Sequence, residues 1–107
     1  MKVVVQVSER EKIQQAVKSV INLLNDLGDE LEEVEVVFHQ SAITATTDEA
    51  SVKPLLQSEK VSVIACRNSL RAQGISESSL VRGVKIVNSG VGEIVRKQKE
   101  GWIYLRL

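Results

Sequence analysis

The stretch that decides the fold is Val61 to Ile75, VSVIACRNSLRAQGI. It opens as a short apolar run, Val61 to Ala65, broken only by Ser62. β-Branched residues dominate the run and it is too short for a helix of its own, so it reads as a buried strand. The run stops at Cys66, the only cysteine in the chain. Arg67 to Gln73 then form a short helical segment, with Gly74 placed to end it. Cys66 thus sits where a strand hands over to a helix, and in open α/β sheets that end of a strand faces the crevice where ligands bind. A thiol with a free pKa of about 8.5 is a weak nucleophile near neutrality, whereas a helix N-terminus and nearby cations favour its thiolate. Arg67 is adjacent, Arg71 follows about one turn later, and Asn68 and Ser69 are candidate hydrogen-bond donors. The competing reading is a buried, inert cysteine that acts as a small hydrophobe.

Upstream, Val3 to Val7 (VVVQV) is a first strand, nearly all apolar and central in the sheet. Ser8 and Glu11 have the spacing of a capping box. The following helix carries Ile13, Val17, Val20, Ile21, Leu24 and Leu27 on one face, and Gly28 ends it. Asp29 to Glu33 is an acidic connector, read as a solvated loop. Val34 to Phe38 is the second strand. It leads into His39, the only histidine, on the same expected rim as Cys66. A histidine there could serve a thiol as general base, or merely make a local hydrogen bond; chain order does not show whether the two meet. Ser41 to Thr47 is ambiguous between a short helix and an extended piece. A helix is expected from about Asp48, with Val52, Leu55 and Leu56 on its apolar side. Pro54 is compatible with it only in the first turn or at a kink.

Downstream, Ser76 can cap a short helix reaching Leu80, with Leu80 and Val81 packing inward. Val84 to Val87 is the fourth strand. A helix from about Val91 to Lys99 should turn Val91, Ile94 and Val95 towards the sheet, with Arg96, Lys97 and Lys99 at its end, where cations complement the helix dipole. Gly101 closes it, and Trp102 to Leu105 is a last strand. Strand and helix alternate from end to end, without linker or repeat. The expectation is one α/β domain over residues 1–107, with a five-stranded, mainly parallel sheet.

Composition narrows the function. The formal net charge is +0, so no overall field recruits nucleic acid or an acidic membrane. Phe38, Trp102 and Tyr104 are the only aromatic residues, too few for stacking platforms on single strands. No apolar run approaches a membrane span, and the apolar part of MKVVVQV is too short for a secretory signal. A lone thiol fits a reducing compartment, so a cytoplasmic location is expected.

Ser89-Gly90-Val91-Gly92 lies between a strand and a helix, where glycines let backbone N–H groups approach an anion. It starts like a dinucleotide fingerprint, but Val95 occupies the third glycine position and the motif comes late in the chain. A tight strand-to-helix turn is favoured, with an anion site at Ser89, Gly90 and Gly92 second. Cys66 and Arg71 suggest the phosphate loop of cysteine phosphatases, but that loop needs five intervening residues, and here only four separate them. One Cys and one His are too few soft ligands for a zinc site, and no metal or other cofactor is expected.

On Cys66, Leu70, Arg71, Ala72 and Gly74, the organising stretch resembles the DsrE/DsrF-like sulfur-relay family. The block GVKIVNSGVGEIVRKQKEGWIYL, Gly83 to Leu105, resembles a small stand-alone branch of it almost throughout. The likeness covers essentially the whole chain. It implies a three-layer α/β/α sandwich, and a persulfide carried on Cys66 between a sulfur donor and an acceptor protein. It also implies assembly into trimers or hexamers, for which Trp102 and Tyr104 could be interface anchors or could simply cap the core. The chain departs from the relay pattern in having no second cysteine, so another thiol must resolve the persulfide. The alternative is a non-enzymatic oligomeric module that binds a small ligand or anion and in which Cys66 is structural. Either way, membership alone does not fix a reaction.

Overall fold

The computed structural model describes residues 1–107. Five parallel strands form one sheet: β1 (Lys2–Val7), β2 (Glu33–Phe38), β3 (Val61–Cys66), β4 (Lys85–Val87) and β5 (Ile103–Arg106), in the order β4-β3-β2-β1-β5. Four α-helices connect them: α1 (Ile13–Leu27), α2 (Glu49–Leu56), α3 (Arg67–Ala72) and α4 (Gly90–Lys99). The order follows from right-handed crossovers. Three successive connections carry the chain from β1 to β4. The fourth, through α4, returns it across the opposite face to β5.

The alternation of strand side chains defines the layers. Val3, Val5 and Val7 of β1, Val34, Val36 and Phe38 of β2, and Val61 and Val63 of β3 pack with Ile13, Ala16, Val17 and Val20 of α1 and Val52 and Leu55 of α2. On the other face Val4, Val37 and Ile64 meet Ile94 of α4 and Trp102. The result is the three-layer α/β/α sandwich, with every strand pair parallel.

Several local expectations need correction. The Ser8–Glu11 capping box does not form. A 3₁₀ turn, Arg10–Lys12, precedes α1, and neither it nor α1 has a side-chain cap. Ser8 is buried instead, and its carbonyl accepts the Ser41 hydroxyl at 3.3 Å. The Ser41–Thr47 region lies in a 3₁₀ helix, Gln40–Thr47, with the Thr46 and Thr47 hydroxyls returned to carbonyls three residues back. Pro54 lies in the second turn of α2. The carbonyl it leaves without a donor is that of Ala50, and both residues are on the exposed side, where water can serve it. Val91 and Val95 do not face the sheet; they are 56% and 60% exposed. Gly90 and Ile94 are buried in their place. Trp102 caps the core in one cluster with Ile94, and Tyr104 stays exposed.

Candidate active site at the rim of β3 and β4

A switch point arises where neighbouring strands send their connections to opposite faces. β1, β2 and β3 lead on in one direction, while β4 leads into α4 on the other face. The C-terminal ends of β3 and β4 form that point, and they carry Cys66 and the turn Asn88-Ser89-Gly90. Cys66 pairs with Val87 in the sheet register.

Cys66 shares a face with Ile64, two residues before it, which is the face α4 covers. Phe38 pairs with Ala65, so His39 and Cys66 stand one step further along neighbouring strands, on the same face. The first residue of α4 sits directly on this pair. A Cβ at Gly90 would lie 3.1 Å from His39 Cβ, 3.2 Å from Val37 Cγ1 and 3.3 Å from Cys66 Cβ. Only glycine lets the helix start this close to the sheet. Ser89 caps α4, its Oγ accepting the Gly92 N–H at 3.1 Å. Gly90 therefore serves a close helix–sheet approach, whereas a Cβ at Gly92 would meet only Arg96 and Ser89 at 3.4 Å.

Cys66 is 4% exposed. Burial by itself would push its thiol up. The Ser69 hydroxyl and the backbone amides of Gly90, Ser69 and Asn68 outweigh burial, and the net position is below the ordinary thiol range. The Asn68 amide also donates to the Asn88 carbonyl at 3.2 Å, so the Ser69 hydroxyl and the Gly90 amide are the more available donors. The sulfur is covered: Ile43, Ala65 and Leu70 pack around Cys66 as an apolar cluster, and the Ser69, Gly90 and Asn68 donors supply the polar part of its surroundings. No surface concavity is lined by it; the largest, about 570 Å³, runs between α1 and α2 past Ile13, Val17 and Pro54.

The arginines point elsewhere. The Arg67 guanidinium donates to Glu77 at 2.7 Å and to the Asn88 side-chain oxygen. Arg71 is exposed, on the side where its charge acts on Glu77. Neither contributes to the lowering of the Cys66 thiol, which comes from uncharged donors. Arg67 instead ties α3 to the turn after β4, fixing the two loops that flank the sulfur.

His39 is 2% exposed, and its Nε2 lies 2.8 Å from Gln6 Nε2. For that contact to be a hydrogen bond, Nε2 must be the unprotonated acceptor. Burial, and then the positive charge of Arg106, push the imidazole below its usual value, so it is neutral near pH 7. Gln6 Oε1 in turn accepts the Tyr104 hydroxyl. His39 is thus beside Cys66 but engaged in a chain running the other way, to β5. Gln40, next to it, is the one non-glycine residue with a positive φ, 51°. Both its backbone polar groups are held by α3 and the residue that ends it: its N–H by Ser69 Oγ and its carbonyl by Gln73 Nε2, each at 2.8 Å. Ser69 Oγ therefore accepts from Gln40 and has its own proton free for the sulfur.

Sequence reasoning does not single out Gln6, Gln40 or Gln73 as site residues, nor the hydroxyl of Tyr104. Gln6 is the one available signal, a polar residue in an otherwise apolar central strand.

A model of the DsrE/DsrF-like family matches residues 1–107. Among solved structures, the chain is similar to "Protein of Unknown Function MTH1491" from Methanobacterium thermoautotrophicum, with 34% identity, 99% of this chain and 98% of that one covered, and a TM-score of 0.85. It shares its fold with the ychN protein from E. coli, at 18% identity, 99% and 97% coverage and a TM-score of 0.77. It also shares it with "Conserved Protein of Unknown Function BT1422" from Bacteroides thetaiotaomicron, at 13% identity, 99% and 94% coverage and a TM-score of 0.77. No curated protein matches the sequence.

Proposed function

Since this chain belongs to the DsrE/DsrF-like family, we propose that it relays sulfane sulfur, with Cys66 as the carrier. The observation that carries the reading is the set of uncharged donors around one buried sulfur at the switch point of a parallel sheet. Such a setting favours a thiolate, and equally a persulfide anion, without a fixed counter-charge.

The chemistry is two exchanges at sulfur. The Cys66 thiolate attacks the outer sulfur of a donor persulfide. The donor's S–S bond breaks, its inner sulfur leaves as thiolate, and the new S–S bond is on Cys66. An acceptor thiolate then attacks the outer sulfur of the Cys66 persulfide and regenerates the Cys66 thiolate. No electrons are gained or lost overall. The Ser69 hydroxyl and the Gly90 amide stabilise the anion at each stage. Neutral His39 neighbours the sulfur with its unprotonated Nε2 occupied by Gln6, while the Asn68 amide and the Arg67 guanidinium hold the flanking loops. With a single cysteine, the resolving thiol must come from another molecule.

Exposed Val91, Val95, Ile103 and Tyr104 lie on α4 and β5. They support assembly of several copies, a trimer or a hexamer, and the donor and acceptor would be proteins of a reducing compartment.

The slight exposure of Cys66 favours a second reading, a binding module in which the cysteine only packs. Incubation with a persulfide donor, followed by intact-mass spectrometry, separates the two. Stoichiometric gain of one sulfur, absent in Cys66→Ser, supports the relay. A folded protein that resists both sulfur loading and alkylation at Cys66 leaves only the packing role.

A further inference from the structure

Cys66 is covered from two sides, by Leu70 of α3 with Ile43 and by the start of α4 at Gly90, and the hold of α4 on the sheet is the unusual one. One large apolar residue, Ile94, is buried along the helix, while Val91 and Val95 point to solvent. The rest of the seam is charged. Lys97 Nζ lies 3.5 Å from Glu35 Oε2 of β2, 3.9 Å from Glu93 Oε2 and 3.7 Å from Glu100 Oε1. It also sits over the Trp102 ring, 4.9 Å from the centroid. The side chains of Glu35 and Glu93 are each only 12% exposed, and Glu35 Oε1 is buried with no hydrogen-bond partner.

A carboxylate oxygen left bare in this way is costly, and two carboxylates around one ammonium repel. One proton on the pair removes both penalties: it converts repulsion into a donor–acceptor contact and balances Lys97. Burial first, then the Glu93 carboxyl, push Glu35 up to about 7, against the opposing pull of Lys97. The other charged or polar groups facing the seam do not substitute for that proton. From β1, Lys2 lies 5.8 Å from the centroid of the same Trp102 ring. From β4, Lys85 Nζ reaches Ser62 Oγ of β3, the residue paired with Glu35, at 3.4 Å. Arg96 pairs with Glu93 at 3.6 Å from the solvent side. Tyr104 of β5 lies on the same row beyond Val4, and its hydroxyl is given to Gln6.

We propose that Glu35, Glu93 and Lys97 form a proton-operated latch that holds α4 down over Cys66, and that loss of the shared proton frees the thiol. The proposal rests on the reading of Cys66 as the working thiol. The same ten-residue helix carries the latch in its middle turns and Gly90, the residue against the Cys66 Cβ, at its start. Lifting the first exposes the second. The sign follows from the raised carboxyl. The docked helix binds the proton that the released helix sheds, so docking is firmest at or below the ordinary carboxylate range. It weakens as pH climbs from there through about 7, and changes no further above that.

The test compares iodoacetamide alkylation of Cys66 in the wild-type protein and in Glu35→Gln at each pH from 5.5 to 8.5. The ratio of the two rates cancels the thiolate fraction common to both. The amide in Glu35→Gln cannot ionise, so the wild-type to variant ratio should rise roughly tenfold across that range. Glu93→Gln removes only the neighbouring carboxyl's share and leaves Glu35 buried and titratable, so the wild-type to variant ratio should rise less than with Glu35→Gln. In the wild-type protein alone, hydrogen-exchange protection of residues 91–99, corrected for intrinsic exchange, should fall with pH while that of β1, β2 and β3 holds. A flat ratio, or α4 protection that tracks the central strands, overturns the latch. Sulfur loading on Cys66 with a flat ratio sinks the latch and keeps the relay. A rising ratio with no sulfur loading does the reverse.

Discussion

The two faces of the sheet are built on different principles. Under α1 and α2, 17 buried residues form one aliphatic cluster closed by Phe38, while under α4 only five do. The second face makes up the difference with a buried His39–Gln6 pair, the Glu35–Glu93–Lys97 seam and a cysteine among amides. Polar groups out of water are stable only with partners, and their partners are set by geometry rather than by area. The first face therefore holds the domain together. The second has the smaller apolar cluster, and both the proposed sulfur site and the proposed latch lie on it.

The largest effect should come from the first face. Phe38 is fully buried at the end of β2, and Phe38→Ala removes its ring from the centre of the aliphatic cluster. A loss of about 3–5 kcal/mol is expected, read as a drop in the urea midpoint with the slope unchanged. For a domain of this size that is a large share of the total. A loss below about 1 kcal/mol would mean that the two faces contribute alike, and the contrast would fail.

The first face was legible in the sequence and much of the second was not. β1, β2, β3 and α1 announce themselves because apolar side chains at the right period are what that face needs. The stripe of α4 misleads for the opposite reason. Its inward positions, one turn apart, are Gly90, Ile94 and half-buried Lys97, with Glu93 beside them, so hydrophobicity points to Val91 and Val95, which face out. Gly90 faces inward because it has no side chain, a steric fact that a hydropathy pattern cannot register. Glu35 was visible as a lone acid inside VEVVF, yet its partners lie nearly sixty residues later. His39 and Cys66 could be assigned to one rim, but their adjacency depends on β2 lying next to β3 in register. Arg67 looked like a cation for the thiol because it is the next residue; in space Glu77 and Asn88 take it.

A middle-sized effect should sharpen the contrast at the helix start. In Gly90→Ala the new methyl meets His39 Cβ, Val37 Cγ1 and Cys66 Cβ, all at 3.1–3.3 Å. Two of those atoms are fixed to strand backbone, so the helix must move. The gain in helix propensity is at most about 1 kcal/mol, and a net loss of about 1–2 kcal/mol is expected. Gly92→Ala is the control. Its Cβ would meet only the end of the Arg96 side chain and the Ser89 Cβ and Oγ, at an ordinary 3.4 Å, so it should be neutral or slightly stabilising. Cys66 alkylation should speed up in Gly90→Ala and not in Gly92→Ala. Equal behaviour of the two variants would remove the special role of the first turn.

The smallest effect tests the polar setting of the sulfur itself. Ser69→Ala deletes the hydroxyl that donates towards Cys66 and accepts the Gln40 N–H at 2.8 Å. Gln40 is exposed, so water can replace that second bond, and the change falls mainly on the thiolate. A hydrogen bond to a charged group of about 1.5 kcal/mol corresponds to roughly a tenfold smaller thiolate fraction near neutrality. The alkylation midpoint should move to higher pH. The folded thiol lies below its ordinary value, so the linked stabilisation is complete only above the ordinary thiol range and is lost as pH falls through the folded value. Ser69→Ala should accordingly lose more stability at alkaline pH than at pH 6. A variant with an unmoved midpoint and a pH-independent loss would show that the hydroxyl merely pins Gln40. The sulfur would then owe its ionisation to the Gly90 amide, and so to the docking of α4.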